Sequence, residues 1–268
     1  MSAVVAITAF RLTTAMSERL TAFYGGLGFQ MAEPTAIPSD EMELLGLDGA
    51  GIRTSMRLGG QTVDLDQFER SGAPASAVPH ANATSFQHLA LVTSDAVTSW
   101  SQAKALGARP ISTSGPVTLP ATSGGVTAIK FCDPEGHPLE FLQFPANIRT
   151  HWRGTGLLGI DHSGIVASDV AASSGFYHDL GLVVGDATVN RGETQDGLDG
   201  LNGTVVDVVP LFPRQQTPHL ELLCYRSPKG APISVLAAND AAATRTVWSA
   251  DRDALIWDPD GHLHLLRR

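Results

Sequence analysis

Apolar and polar residues alternate most clearly around a short turn, in residues 131–144 (FCDPEGHPLEFLQF). A period of two is typical of a β-strand, and the proline and glycine of the DPEGH segment are typical of a tight turn. The stretch therefore predicts a strand, a turn and a second strand. In the second strand, the alternation places Glu140 on the same face as Leu142 and Phe144. Because a lone carboxylate is costly there, Glu140 is expected to be protonated, hydrogen-bonded or bound to a metal.

The chain repeats itself. The Asp-Pro-acid-Gly-His turn returns in residues 255–266 (LIWDPDGHLHLL). FYGGLGF at 23–29 is similar to FYHDLGL at 176–182, and ITAF at 7–10 aligns with IDHS at 160–163. Both pairs have the same offset of 153 residues (176 − 23 and 160 − 7). Two matches at one offset indicate internal repeats.

The repeats divide the chain into four predicted units, which are residues 1–70, 85–146, 157–226 and 231–268. Each of the first three units is predicted to have the order β-α-β-β-β, with helices that begin near Ser17 and Ala96. In unit one, residues 41–68 are predicted to contain three short strands. Unit four is abbreviated and is predicted to lack the helix and one strand. The segments between these units are rich in small residues and proline and are predicted to be linkers.

Composition excludes several classes of function. The chain has 268 residues, 43% of them hydrophobic and 17% charged, which is typical of a globular protein with a sizeable core. A net charge of −9 with scattered basic residues argues against nucleic-acid partners and against anionic membranes. Neither a membrane-spanning segment nor a signal peptide is predicted. The two cysteines lie in apolar runs, so we expect reduced thiols and a cytoplasmic location.

The β-α-β-β-β order, the FYxxLG helix end and the DPxGH hairpin followed by an acid resemble the vicinal oxygen chelate superfamily of glyoxalases, extradiol dioxygenases and resistance proteins. The resemblance covers essentially the whole chain. It implies an α+β fold in which paired βαβββ modules form cup-shaped mixed sheets, with metal ligands on the first and last strand of each unit. The implied first-strand positions are Ala9, His88, His162 and Arg245, and the implied last-strand positions are Asp64, Glu140, Glu221 and Leu265.

Only units two and three have both a histidine and a glutamate at these positions. The implied ligands are His88, Glu140, His162 and Glu221. A mixed nitrogen and oxygen set suits Zn, Ni, Fe, Mn or Co more than Ca or Mg. All four residues converge if units two and three share a cup, which is the arrangement we expect. If unit one pairs with two and three with four, Asp64 joins His88 and Glu140, while His162 and Glu221 form a separate set.

The implied function is that of a metal-dependent, glyoxalase-like isomerase, epimerase or lyase. It would act on a small molecule with vicinal oxygens through an enediolate-type intermediate, with Glu140 or Glu221 as the general base. One alternative is an Fe(II) extradiol ring-cleaving dioxygenase, although a second glutamate would occupy a position that oxygen or catechol needs. The other is a non-enzymatic small-molecule binding or resistance protein. His219 is an alternative ligand, and the chain is expected to be a monomer or a homodimer.

Each ligand histidine is expected to have its tautomer held by an acceptor that the sequence does not identify. Strict alternation places His162 on the same face as Ile160 and Gly164.

Overall fold

The structure is a computed structural model, and it describes residues 3–75, 78–148, 150–230 and 236–268. The predicted first residues of units one and four (1–2 and 231–235) lie outside the described residues, as do three linker positions (76–77 and 149). No helix among the described residues is long and apolar enough to cross a membrane.

Units one and two each begin with the predicted strand and helix and continue with four strands instead of the predicted three. Unit one comprises β1 (Ala6–Thr13), α1 (Ser17–Gly26), β2 (Gln30–Met31), β3 (Thr35–Ala36), α2 (Ser39–Leu44), β4 (Gly51–Leu58) and β5 (Gln61–Phe68). Unit two comprises β6 (Gln87–Thr93), α3 (Ala96–Ala105), β7 (Arg109–Pro110), β8 (Val117–Thr118), a 3₁₀ turn (Ala121–Ser123), β9 (Thr127–Cys132) and β10 (Pro138–Gln143).

Unit three is built in the same way, and unit four has strands alone among its described residues. Unit three comprises β11 (Leu157–Val166), α4 (Val170–Asp179), β12 (Val183–Val184), β13 (Thr188–Arg191), α5 (Glu193–Asp199), β14 (Val205–Phe212) and β15 (His219–Ser227). Unit four comprises β16 (Arg245–Ser249), β17 (Ala254–Trp257) and β18 (Leu263–Arg267). The predicted α+β class is confirmed.

The local predictions hold at the hairpin and at two helix starts. Strands β9 and β10 pair antiparallel across the DPEGH turn, where Gly136 has φ of 107°. Helix α1 begins at Ser17, and α3 begins at Ala96 after Asp95, whose carboxylate accepts the first free N–H groups of the helix.

The prediction of three strands in residues 41–68 is wrong at its start, because α2 contains Glu41. Pro38 immediately precedes this helix, and Asp40 and Glu41 lie in its first turn, where both residue types favour a helix.

The strands form two separate sheets. One sheet joins units one and four in the order β17-β18-β16-β1-β5-β4-β2, and the other joins units two and three in the order β12-β14-β15-β11-β6-β10-β9-β7. Within the second sheet, β6 and β11 are antiparallel neighbours, while β10 pairs parallel with β6 and β15 pairs parallel with β11. The first and last strands of units two and three therefore occupy the middle of one sheet.

The largest hydrophobic cluster includes residues from both sheets and from the helices. Leu89 and Leu91 of β6 belong to it, together with Phe10 of β1 and Trp100 of α3. Because side chains alternate along a strand, His88 points to the opposite, concave face of the second sheet. The central strands thus bury one face in the core and present the other to a cup.

The two repeated motifs bind each other. The Tyr24 hydroxyl, from FYGGLGF, donates to Asp133 of the DPEGH turn at 3.1 Å, and His137 of that turn lies 2.7 Å from the same carboxylate oxygen. Glu135 of the turn accepts from the backbone N–H groups of Ala15 and Met16, just before α1.

The second copies of the motifs repeat this arrangement. The Tyr177 hydroxyl donates to Asp258 at 2.9 Å, and Asp260 accepts from the backbone N–H of Ser168 at 3.0 Å. Each hairpin turn therefore attaches one sheet to a helix of the other half, which explains why both motifs occur twice.

Candidate metal centre

Three of the four predicted ligands meet on the concave face of the second sheet. Ligand-type atoms of His88, Glu140 and His162 all lie within 4.8 Å of one another. The three side chains are buried, and Nε2 of His88 lies 2.8 Å from Oε2 of Glu140. They come from the neighbouring strands β6, β10 and β11, so the fold itself brings them together.

Glu221 lies at the edge of this group. Its Oε2 is 3.5 Å from Nε2 of His162, and its Oε1 is 3.6 Å from Nε2 of His219. The side chain of Glu221 is 23% exposed, against 8% for Glu140. Two ligands held at about 2.1 Å from one tetrahedral ion would be roughly 3.4 Å apart, so this spacing also suits a shared ion.

The surroundings of His88 fit a metal ligand. Neither ring nitrogen makes a hydrogen bond, although the ring is 1% exposed and Nε2 is close to Glu140. Burying an imidazole without a hydrogen-bond partner costs free energy. A cation bound by both His88 and Glu140 would bring the nitrogen and the oxygen close together without a hydrogen bond between them. Gly164, opposite His88 on β11, leaves room for the ring: a Cβ there would lie 2.2 Å from Cε1 of His88.

A β-bulge supplies the acceptor that orients His162. The register of β11 against β6 shifts between Ile160 and His162, so strict alternation fails there. Ile160 lies in the central core, whereas Asp161 and His162 both line the cup. The prediction that Ile160 shares the face of His162 is therefore wrong. Oδ2 of Asp161 lies 3.0 Å from Nδ1 of His162, which leaves Nε2 to face the cup.

The charges of the site follow from burial and from these neighbours. Burial lowers the pKa of His88, which favours the neutral imidazole that binds metals. Burial would also lower the pKa of His162, but Glu221 and Asp161 raise it to about 9. Burial would raise the pKa of Glu221, but His162, His219 and His88 lower it to about 2. The pKa of Glu140 is also lowered, since the neighbouring His88 outweighs burial.

The site opens into a cavity of about 270 Å³. One wall is apolar and includes Leu119, Leu142 and Leu198. Lys130, which pairs with Glu140 across β9 and β10, also lines the cavity. Its Nζ lies 2.6 Å from a carboxylate oxygen of Asp199, and both side chains are buried. This ion pair was not predicted from the sequence, in which a lysine inside the apolar run TAIKFC was the available signal.

The equivalent positions in units one and four hold no such ligand set among the described residues. Arg245 and Asp64 stand where units two and three have histidine and glutamate. Ion pairs there join six charged side chains, namely Arg11, Arg53, Arg245, Glu41, Asp64 and Asp66. Three guanidinium groups balance three carboxylates. Asp64 lies in a different sheet from the histidines and glutamates of units two and three.

No protein-family model matches the chain, and no curated protein sequence matches it. Among solved structures, glyoxalase I from Zea mays is similar over 97% of this chain and 91% of its own, with a TM-score of 0.62 and 14% identity. A candidate dioxygenase from Bacillus subtilis subsp. subtilis str. 168 is similar over 99% of this chain and 86% of its own, with a TM-score of 0.60 and 12% identity. At these identities the similarities show that the chain shares its fold with the two structures, which agrees with the predicted α+β class.

Proposed function

We propose that this chain is a divalent-metal-dependent enzyme of glyoxalase-like type that moves a proton on a small molecule with vicinal oxygens. Isomerisation, epimerisation and elimination all belong to this class. The observation that carries the proposal is the convergence of His88, Glu140 and His162, with Glu221 beside them, on a cavity that a small molecule can enter.

The donor set supports a bound cation of the borderline type. Two imidazoles with carboxylates suit Zn, Ni, Fe, Mn or Co. His88 has no competing hydrogen bond, and Asp161 holds the tautomer of His162. A divalent ion held there would polarise two neighbouring oxygens of a substrate and stabilise the negative charge that develops when a carbon-bound proton leaves.

We assign Glu221 as the general base and Glu140 as a ligand. Glu140 belongs to the tight group and is the more buried of the two. Glu221 lies at the edge, is more exposed, and contacts two histidines that can hold it between proton transfers. Its carboxylate would take the proton from the substrate carbon and return it to the neighbouring carbon, or to the opposite face of the same carbon.

A second candidate function is an Fe(II) extradiol dioxygenase. The tight group by itself is two histidines and one carboxylate, which is the composition of the facial triad of non-haem iron oxygenases. The position of Glu221 decides between the two proposals. If Glu221 binds the ion or acts as a base, the site supports proton transfer. If Glu221 does not bind the ion, coordination positions remain open for oxygen and a catechol.

The test uses protein purified without a polyhistidine tag, stripped of metal and reloaded separately with Zn, Ni, Co, Mn and Fe(II). Hydroxyacetone is incubated with each form in D₂O, and exchange of its carbon-bound hydrogens is followed by NMR. Glu221→Gln should keep the metal and lose exchange by about 10²–10⁴-fold. Glu140→Gln should lose metal, and the exposed Glu18→Gln should change neither property.

Several outcomes contradict the proposal. Wild-type protein that binds none of the five metals would remove its basis and favour a non-enzymatic binding protein. Unchanged exchange in Glu221→Gln would remove the assigned base. Oxygen consumption with catechol by the Fe(II) form, without exchange by any form, would support the dioxygenase instead.

A further inference from the structure

The cavity beside the candidate metal centre carries an excess of negative charge. Four carboxylates line it, those of Glu140, Asp161, Asp186 and Glu221. Each of these groups carries a formal charge of −1. Among the described residues that line the cavity, Lys130 is the sole lysine or arginine.

Lys130 is not free to receive a negatively charged ligand. Its Nζ lies 2.6 Å from Asp199, whose side chain is fully buried, and Gln195 donates to the other oxygen of that carboxylate at 2.8 Å. The side chain of Lys130 is 4% exposed. An ammonium buried against a carboxylate has its charge balanced, and separating the pair to bind a new anion would leave a buried charge without a partner.

The charge balance persists when a metal is bound. When His88 and His162 bind a divalent ion as neutral imidazoles and Lys130 cancels Asp199, the four lining carboxylates contribute four negative charges and the ion contributes two positive ones. Two negative charges therefore remain around a cavity of about 270 Å³. In such a partly buried space these charges repel an anion more strongly than they would in water.

Apolar side chains that also line the cavity offer a different kind of contact. Leu119, Leu142, Leu198 and Ala128 form one hydrophobic cluster, and Val126 and Phe144 pack against it. All of these except Ala128 line the cavity. A ligand held at the metal by two oxygens therefore has an apolar surface beside it for the rest of its body.

We propose that the cavity selects neutral or cationic substrates with an apolar arm and excludes substrates that carry a carboxylate or phosphate away from the vicinal oxygens. This inference rests on the proposed function, because it assumes that a metal holds the oxygens. It places thiol conjugates that carry two carboxylates, such as those of glutathione, outside the substrate class, together with phosphorylated sugars and nucleotide-linked acyl groups.

The test measures binding instead of turnover. Benzohydroxamic acid chelates a metal through two neighbouring oxygens and has an apolar ring. Its 4-carboxy and 4-aminomethyl derivatives differ from it mainly by one negative or one positive charge at the far end. Dissociation constants for Co(II)-loaded protein are measured by calorimetry and by the visible spectrum of the cobalt, with metal retention checked afterwards.

The carboxy derivative should bind at least about tenfold more weakly than benzohydroxamic acid, and the aminomethyl derivative as tightly or more tightly. Acetohydroxamic acid, which lacks the ring, should bind about tenfold or more weakly than benzohydroxamic acid. Asp186→Lys should recover at least half of the loss, on a logarithmic scale, for the carboxy derivative. Glu18→Lys makes the same change of charge on exposed α1, outside the cavity lining, and should recover none.

The outcomes separate the two proposals. If none of the hydroxamates binds in a metal-dependent way, the proposed function fails. If all bind but the carboxy derivative is as tight as the parent compound, the charge inference is overturned while the proposed function stands. Equal recovery by Asp186→Lys and Glu18→Lys would also overturn it, because the effect would then come from the net charge of the protein.

Discussion

The sharpest structural prediction concerns Gly164, a residue without a side chain that makes room for a ligand. A Cβ at this position would lie 2.2 Å from Cε1 and 2.9 Å from both ring nitrogens of His88. Ordinary contact begins at 3.4 Å, so Gly164→Ala must displace the ring by more than 1 Å. Metal ligands tolerate deviations of about 0.2 Å.

The expected loss can be bounded from below. Disturbing a group that merely orients a metal ligand lowers metal affinity about 10–100-fold, which corresponds to roughly 1.4–2.8 kcal/mol. Gly164→Ala moves the ligand itself, so its loss should reach at least this range. Overpacking of the strand should lower the free energy of unfolding of the metal-free protein by about 1–3 kcal/mol.

The assay is a competition titration of Zn(II) or Co(II) against a chromophoric chelator, combined with urea denaturation of the metal-free protein. Gly175→Ala is the matched control, since Gly175 is an exposed residue of α4 with nothing within 4 Å of its added Cβ. It should keep metal affinity and gain up to about 1 kcal/mol of stability. Wild-type metal affinity in folded Gly164→Ala would refute the placement of His88 as a ligand.

Three further results are expected. Tyr24→Phe removes a donor from the buried aspartate of the DPEGH turn and should lower the free energy of unfolding by about 1–3 kcal/mol in urea; an unchanged free energy of unfolding would contradict the role of that bond. Burial lowers the pKa of His264 to about 4, so between pH 6.5 and 4 this histidine is protonated in the unfolded chain and neutral in the folded chain. About 3 kcal/mol of stability should therefore be lost as the pH falls through this range, and His264→Gln should flatten the profile relative to the exposed His178→Gln; parallel profiles would argue against a buried neutral His264. Elemental analysis should find one divalent ion per chain, and Arg245→Ala should reduce stability without changing that stoichiometry. A second ion in wild-type protein would contradict the interpretation that the charged cluster of units one and four takes the place of a metal.

The two repeated motifs predicted the fold because they contact each other in the structure. The tyrosine of each FYxxLG segment donates a hydrogen bond to the aspartate of one DPxGH turn, so each copy of one motif contacts a copy of the other. The turn histidines are buried and contact backbone carbonyls: Nε2 of His137 lies 2.9 Å from the carbonyl oxygen of Thr13, and Nε2 of His262 lies 3.0 Å from that of Val166. The motifs therefore indicated the fold and not the reaction.

Strand alternation was sufficient for some site residues and insufficient for others. Glu140 stands on a regular strand, so its face follows directly from a period of two. Asp161 does not, because a bulge turns two consecutive residues of β11 towards the cup. A bulge reverses which face of the sheet the following side chains occupy, and nothing in the local sequence indicates it. The position of the bulge depends on the pairing with the neighbouring strand.

The amino-acid pattern was enough to predict the α+β class, which is confirmed, and to predict the repeated units and the set of histidines and glutamates at equivalent positions. These properties are local or periodic, and the chain carries them without reference to its partners. Which strands share a sheet depends on long-range packing. The same packing places His88 beside His162 and gathers the charged cluster of units one and four in the other sheet. The ion pair of Lys130 with Asp199 joins residues of two different units, 69 positions apart. Such contacts depend on packing and burial, which no short stretch of the chain specifies.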